Sequence, residues 1–275
     1  MSPRNPVRPQ IDKRSTSADH QRTVSALHTP RQNQLLAALP SEDYERLLPH
    51  LNSVVLWAGS TVHSAGALET DVYFITAGIV TKCHLLENGE SAEFAMVGNE
   101  GLIGIALFLD AGSTRSQAVV TSPGHAYWLR GDVLKSEFER SSMLRHALLR
   151  YTQVLIAQIA QTAVCNRHHS LEQRLCRWIL LCLDRLPSNE LAMTQELIAD
   201  VLGVRREGVT AAAGSLQEAG LIHCSRGRIR VLDRPRLEAR VCECYAVVKE
   251  EYGRLLQPAG KMTAQERMVA RRVCS

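Results

Sequence analysis

The sequence predicts an α+β protein in which an N-terminal β jelly-roll, a long helix and a C-terminal winged helix-turn-helix follow one another. Three observations predict this order: short glycine-punctuated apolar runs between residues 52 and 130, a long helical repeat after Gly131, and a helix–glycine–helix pattern around Gly203. The expected segments are a disordered tail over 1–32, a β domain over 33–140, the long helix over 141–168, the winged domain over 169–235, and a C-terminal helix and tail over 236–275.

Composition and charge limit the function classes. The chain has 275 residues and a formal net charge of +4, and this charge is unevenly distributed: residues 1–30 carry +3, residues 31–165 carry −4 and residues 166–275 carry +5. A basic C-terminal part beside an acidic middle suggests that one region meets a polyanion. There is no apolar run of eighteen residues and no apolar signal-peptide region, so we expect a cytoplasmic protein that does not enter a membrane.

The first part of the chain is polar. Residues 1–32 are rich in Pro, Arg, Ser, Thr and Gln and offer too little apolar surface to offset the entropy of ordering, so we expect disorder there. Short helices are expected between Asn33 and Leu51, with Ser41 as an N-cap ahead of acidic residues in the first turn.

Short apolar or alternating runs over residues 52–130 predict an all-β barrel or sandwich, because turn-forming glycines stand between or beside them. The expected strands are Val54–Trp57, Val72–Ile75, Ile79–Leu85, Ala92–Val97, Gln117–Val120 and His125–Leu129.

The long helix carries one seam that recurs in alternating steps of four and three residues. The seam consists of Leu144, Leu148, Tyr151, Leu155, Gln158, Thr162 and Cys165. A seam without an obvious partner in its own chain favours a dimer helix, and the alternative is that it packs on the β domain. A further strongly apolar helix is expected over 170–186.

The helix-turn-helix is the motif from which function is inferred. Thr194 is the expected N-cap of a short helix, Gly203 supplies the tight turn, and Arg205 opens a second helix running to about Ala219. Two strands follow, joined by a basic turn at 226–228, as in a DNA-binding wing. The expected DNA contacts are Thr194, Gln195, Arg205, Arg206, Glu207, Thr210, Arg226 and Arg228.

Residues 33–235 resemble the CRP/FNR family of transcription regulators. In the family an Arg-Glu pair of the recognition helix reads base edges, and Arg206-Glu207 matches it here. Arg can donate twice to guanine while Glu accepts from cytosine. The sequence departs from the family at Arg205, Gly208 and Ala211, where Ser or Thr, Thr, and a second Arg are common, so no relative's half-site can be copied. The resemblance implies double-stranded DNA as partner, a homodimer on an inverted repeat, and RNA polymerase as a further partner if the protein activates.

The β region resembles a cyclic-nucleotide-binding domain, but its phosphate cassette is incomplete. Gly104 and the pair Arg115-Ser116 are kept at the family spacing, whereas Ile105 replaces the glutamate that accepts from the ribose hydroxyl. We therefore expect a sensor domain not specific for cyclic AMP, with an unknown small-molecule effector. The candidate pocket residues are Gly104, Arg115, Ser116, and Gln158 and Thr162 from the long helix.

Alternatives remain open. One is a cyclic-nucleotide-responsive regulator, and another is a ligand-binding regulatory subunit that acts on a second protein. No catalytic motif occurs, so we expect no enzyme and no catalytic residues. The eight cysteines show no regular zinc spacing, so we expect neither a metal nor a cofactor. Two pairs are nevertheless noted: Cys242 and Cys244 are close in sequence, and His168-His169 lies at the hinge before the DNA-binding domain. One added helix is expected over 235–256 and a basic tail over 257–275.

Overall fold

A computed structural model describes residue 11, residues 29–87 and residues 91–256. Most of the predicted N-terminal tail and the predicted C-terminal tail over 257–275 lie outside the described residues. Within the described part, no helix is both long and apolar enough to cross a membrane. The last residues of the predicted tail, Pro30–Gln32, form a 3-10 turn in which Pro30 is buried.

The β domain is a six-stranded antiparallel sheet that folds over itself. Strands β1, β6, β3 and β4 are adjacent in that order, while β2 pairs with β6 and β5 pairs with β3. The strands are β1 Asn52–Leu56, β2 Thr61–His63, β3 Asp71–Leu85, β4 Ser91–Val97, β5 Leu102–Ile103 and β6 Gln117–Arg130.

Strands β3 and β6 each replace two of the shorter strands that the sequence predicts, because a glycine inside each strand bends it without ending it. Gly78 has φ +86°, and a Cβ there would lie 2.6 Å from the carbonyl oxygen of Ser122. Gly124 lies against the Ala77 carbonyl on the facing strand, so neither position has room for a side chain. The two glycines let the paired strands turn a corner together, and a glycine inside a strand is easily mistaken for a loop.

Two short helices, α1 (Gln34–Ala37) and α2 (Ser41–Leu47), close one end of the β domain. Asn33 caps α1 with its side-chain oxygen, while its amide donates to the carbonyls of Ile75 and Gly101 at 2.8 Å each. The expected N-cap at Ser41 is wrong: Ser41 is the first residue of α2 and Pro40 occupies the cap position. Helix α3 (Gly131–Arg140) follows the sheet.

The long helix α4 spans Ser142–His168, and its predicted seam is buried by other parts of the same chain. Leu144, Leu148 and Tyr151 join the apolar cluster under α1, α2 and β3, and the Tyr151 hydroxyl donates to the Leu102 carbonyl at 2.9 Å. The interpretation of this seam as the dimer contact is therefore wrong, and the alternative, packing on the β domain, is correct for its first half. Its second half is covered by the C-terminal helix of the same chain.

The C-terminal domain is built on α5 (Leu171–Leu183), which begins at the N-cap Ser170 and is almost entirely buried. The sequence predicts one helix over 235–256, whereas the chain forms two helices that break at residues 241–243, where Cys242 turns inward and is buried. The remaining elements are β7 Glu190–Leu191, α6 Gln195–Leu202, α7 Arg206–Glu218, β8 Ile222–Ser225, β9 Arg228–Val231, α8 Arg234–Arg240 and α9 Cys244–Leu256.

The C-terminal domain packs against the β domain. Helix α6 packs beside β4, where Ala92 Cβ lies against Gly203. Arg185 links three parts of the chain: its Nε donates to Glu100 after β4 at 2.8 Å, its Nη1 donates to the Leu181 carbonyl, and its guanidinium stacks on the Tyr252 ring of α9. Both members of the Arg185–Glu100 pair are buried, so removing either one would leave an unpaired buried charge.

Candidate functional site

The helix-turn-helix forms as its sequence predicts. The Thr194 hydroxyl accepts from the Leu197 amide at 3.2 Å at the start of α6, and Gly203 ends α6 with φ 62°. Ala199 is buried where α6 and α7 meet. Arg205 differs slightly from expectation, because its extended backbone makes it the N-cap and α7 begins at Arg206.

The expected base-reading side chains lie together at the first turn of α7. Arg205, Arg206, Glu207 and Thr210 are all exposed on this turn. The Thr210 hydroxyl donates to Gln195 Oε1 at 2.8 Å, which joins the start of α6 to the recognition helix. An arginine and a glutamate at the exposed N-terminal turn of a second helix can enter a major groove and contact base edges.

The wing is a tight hairpin between β8 and β9. Arg226 and Gly227 both have positive φ, +41° and +77°, as a two-residue hairpin of this twist requires. Arg226 is exposed at the tip, while Arg228 donates to Glu190 at 2.7 Å. The bonds from Arg228 and Arg230 lower the pKa of Glu190. Arg228 is therefore already paired, and a phosphate contact must compete with this exposed ion pair, which is worth little in water.

A concave surface lies between the wing and α7. Thr194, Gln195, Arg206 and the wing tip over 226–228 line it together. Five of the eight predicted contact residues thus line this groove, and the other three, Arg205, Glu207 and Thr210, are exposed beside Arg206 at the start of α7.

The incomplete phosphate cassette lies in the connection between β5 and β6. Gly104 takes φ +113° ahead of the 3-10 turn Ile105–Leu107, and the Ile105 side chain packs on the apolar cluster. Ser116 is buried and hydrogen-bonds to Thr114, whereas Arg115 is exposed. The three cassette residues therefore share one segment, but the arginine faces solvent.

A buried polar group near this cassette is missing from the sequence prediction. Glu69 accepts from the Ala106 amide at 3.2 Å, and its other oxygen lies 3.4 Å from His63 Nε2. Burial raises the pKa of Glu69 while the charge of Lys82 opposes the change, and burial lowers the pKa of Lys82 while Glu69 opposes it. Burial and Lys82 both lower the pKa of His63. Lys82, a charged residue inside a predicted apolar strand, was the available sequence signal, whereas Glu69 lies in the loop before β3.

Gln158 and Thr162 do not join the cassette. The Tyr252 hydroxyl of α9 lies 2.7 Å from the Gln158 side-chain amide, and Thr162 accepts from Arg177 at 3.2 Å. Both polar seam residues thus contact the C-terminal domain, and the Gln158 amide also faces the Met96 backbone of β4. The sequence could not reveal the contact with α9, which is almost a hundred residues away.

Glu93, at the contact between the two domains, is a carboxylate with an unusual pKa. Glu93 of β4 accepts from Trp178 Nε1 of α5 at 3.4 Å and from the Thr81 hydroxyl at 3.2 Å. Burial raises the pKa of Glu93 to about 7, although the Trp178 bond and the charge of Arg177 act in the opposite direction.

Comparisons with known proteins match both domains. The cyclic nucleotide-binding domain family matches residues 54–141, and the Crp-like helix-turn-helix domain family matches residues 173–240. Together the two matches cover more than half of the chain.

Individual relatives agree with this assignment. The global nitrogen regulator of Synechococcus elongatus is 25% identical over 184 residues, which are 64% of this chain and 83% of that protein. A putative transcriptional regulator of the crp/fnr family from Eubacterium rectale has the same fold, with a TM-score of 0.61, 19% identity, and coverage of 75% of this chain and 96% of its own. FixK2 from Bradyrhizobium japonicum gives a TM-score of 0.62 at 17% identity and covers 70% of this chain and 98% of its own.

The two domain matches occur in the order that the sequence predicts and are joined by the long helix α4, and the second match includes the wing. The chain belongs to the CRP/FNR family of transcription regulators.

Proposed function

We propose that this regulator binds double-stranded DNA as a homodimer and reads an inverted-repeat operator with the first turn of α7. The observation that carries the proposal is the exposed pair Arg206-Glu207 at that turn, directly after the left-handed Gly203. The pair can read adjacent base pairs through the arginine fork and the glutamate acceptor. Thr194, Gln195, Thr210 and the wing residues Arg226 and Arg228 are positioned to contact the sugar–phosphate backbone.

Helix α4 offers a surface for the second copy on the side opposite its buried seam. Leu149, Ile156, Ala160 and Ala163 are exposed there, and Leu149 and Ile156 are 44% and 54% exposed. Their spacing of seven, four and three residues is that of a coiled-coil seam. A two-fold axis along this face presents two recognition helices to successive major grooves about 34 Å apart. If the dimer activates transcription, RNA polymerase is its further partner.

We propose that the sensor domain is not specific for cyclic AMP. Ile105 cannot accept from a ribose hydroxyl, and leaving a buried hydroxyl without a partner costs about 1–3 kcal/mol. Arg115 faces solvent, and the Gln158 amide is occupied by Tyr252 of α9 and the Met96 backbone of β4. The buried Glu69 and Lys82 and the half-buried His63 give the β domain a polar interior of a different kind, which favours another small molecule as the effector.

The DNA-reading role is tested with an operator selected from genomic fragments. Arg206→Ala removes a bidentate base contact, which is worth about 1–3 kcal/mol, or roughly 5- to 150-fold in specific affinity. Arg140→Ala is the matched control, because Arg140 is an exposed arginine of α3 in the β domain. Gel shifts at several salt concentrations separate base reading from phosphate contacts, since only the latter change the salt slope. Equal affinity of the wild-type protein and Arg206→Ala for the operator would remove Arg206 from the reading role.

A further inference from the structure

Four potential metal ligands meet where the long helix joins the C-terminal domain. Cys165 lies in the last turn of α4 and His169 is the C-cap of the same helix. Cys242 lies between α8 and α9, and Cys244 begins α9. All three cysteines are buried, at 0%, 3% and 0% exposure in chain order, and the His169 side chain is 14% exposed.

The spacing of these atoms fits one metal ion. The three Sγ atoms and one ring nitrogen lie within 4.8 Å of one another. The Cys165 and Cys242 sulfurs are 3.6 Å apart, and the Cys244 sulfur is 3.4 Å from His169 Nδ1. A tetrahedral zinc ion with normal bond lengths separates two sulfurs by about 3.8 Å and a sulfur from a nitrogen by about 3.6 Å. Sulfurs bound to different irons of an iron–sulfur cluster must stand farther apart than these atoms do.

The groups around the four ligands are those of a metal site. His169 turns Nδ1 toward the sulfurs and places Nε2 3.3 Å from the carboxylate of Glu243. A carboxylate on the far nitrogen fixes the tautomer and ring orientation of a metal-bound histidine. Gln161 Nε2 donates to the Cys244 sulfur at 3.0 Å, as expected for an acceptor that carries negative charge.

A nearby cation fits the charge of a loaded site. Arg177 Nη2 donates to Thr162, which lies one helical turn before Cys165 on the same face of α4. Among the residues that the structure describes, Arg177 Nε and Nη1 are buried without a hydrogen-bond partner. A zinc ion bound by three thiolates and a neutral imidazole has a net charge of −1, which the guanidinium offsets.

We propose that Cys165, His169, Cys242 and Cys244 bind one Zn²⁺ ion. The three thiols release their protons to water as the Zn–S bonds form, while the histidine binds through neutral Nδ1 and keeps its proton on Nε2, toward Glu243. Thiolate and imidazole ligands in a closed tetrahedral set are typical of structural zinc. No ligand position is left for a substrate, so the site is structural rather than catalytic.

The ion joins parts of the chain that are far apart in sequence. It attaches the α8–α9 connection to the end of α4 and to the linker that leads into α5. Helix α9 is thereby held along α4, with Tyr252 on Gln158 at its other end. Because zinc binding contributes to folding free energy, metal loss loosens α9 and the hinge into the DNA-binding domain together.

The test is metal analysis of the full chain purified without chelator. We expect one zinc per protomer by elemental mass spectrometry. The bound zinc per protomer should fall about tenfold or more in Cys242→Ser, because one of the four ligands is lost. Cys224→Ser is the matched control, because Cys224 lies in β8 outside the cluster. Glu243→Gln keeps all four ligands, so we expect retention of the site with zinc affinity lowered about 10- to 100-fold in a chelator competition.

Cobalt substitution makes the test independent of variant folding. The wild-type chain, stripped of metal and reloaded with Co²⁺, should show the intense visible bands of tetrahedral cobalt and thiolate-to-cobalt charge transfer. Absence of both bound zinc and these bands would overturn the proposal. Iron with broad visible absorption, a Cys165–Cys242 disulfide in place of metal, or unchanged zinc in folded Cys242→Ser would overturn it as well.

Discussion

Replacing Glu93 by glutamine tests the contact between the two domains. The Glu93 carboxylate accepts hydrogen bonds from Trp178 at 3.4 Å and from Thr81 at 3.2 Å. The glutamine amide keeps an oxygen that can accept both of them. What it removes is the ionisable group that faces Arg177, Arg185 and Cys182. The change therefore isolates the electrostatic cost of holding a carboxylate between β4 and α5.

The magnitude follows from the pKa. Burial raises the pKa of Glu93 from its ordinary value of 4.5 to about 7. Each pKa unit between the unfolded and folded states corresponds to about 1.4 kcal/mol, so ionising Glu93 in place costs at most about 3.5 kcal/mol. This is an upper limit because Glu93 retains partial exposure and borders the cleft between the domains.

The sign of the pH dependence is set by a pKa that is higher in the folded state. Below pH 4.5 the carboxyl is protonated in both states and the cost is absent. As pH rises toward about 7 the unfolded chain ionises first, so the folded state loses stability across this window and reaches the full cost above it. Glu93→Gln should therefore be more stable than wild type at pH 8, by up to about 3.5 kcal/mol.

Urea unfolding measured across pH 5–8.5 provides the assay. The quantity of interest is the difference in unfolding free energy between Glu93→Gln and wild type, since other groups, the histidines among them, contribute equally to both. Glu87→Gln, an exposed carboxylate at the end of the β3–β4 hairpin, serves as control and should show no rise. A difference that stays flat from pH 5 to 8.5 would refute the buried-carboxylate reasoning.

Two further predictions concern the dimer face and the glycines. Ile156→Glu should convert the dimer to a monomer in sedimentation at equal concentration, because it puts a charge into the apolar stripe of α4. Met143→Glu, similarly exposed but on another side of that helix, should leave the dimer intact, and a dimeric Ile156→Glu would contradict the assignment. Gly101→Ala should lower the free energy of unfolding by about 1–3 kcal/mol or more, because its Cβ clashes with the Tyr151 ring. Gly214→Ala, with open space in the interior of α7, should raise it by up to about 1 kcal/mol, and chemical denaturation that orders the two variants the other way would refute both.

The sequence predicts the helix-turn-helix well because its signals are local. Thr194 fixes the start of α6 through its side-chain hydroxyl and Gly203 fixes the end through its left-handed backbone, and the arginines of α7 and the wing are close to them in sequence. The strands are less well predicted. Gly78 and Gly124 look like strand ends in the sequence, although in the sheet each marks a bend in a strand that continues.

Long-range partners limit the rest of the prediction. A helical seam shows that one face of α4 is buried, but an apolar pattern is the same whether a β domain, a C-terminal helix or a second copy covers it. The four-ligand cluster depends on bringing residues 165–169 beside residues 242–244. No sequence spacing encodes that meeting, so the scattered cysteines look like ordinary packed thiols.

The contact between α6 and β4 affects which operators the dimer can bind. A DNA-binding domain held against its own β domain has less orientational freedom to lose on DNA than one on a free tether, so binding costs less entropy. As long as this contact persists on DNA, the two recognition helices of a dimer keep one separation and one relative angle. Inserting a single base pair at the centre of an operator rotates one half-site by about 34°. The domain contact therefore makes the protein select operators by the spacing between their half-sites as well as by their bases.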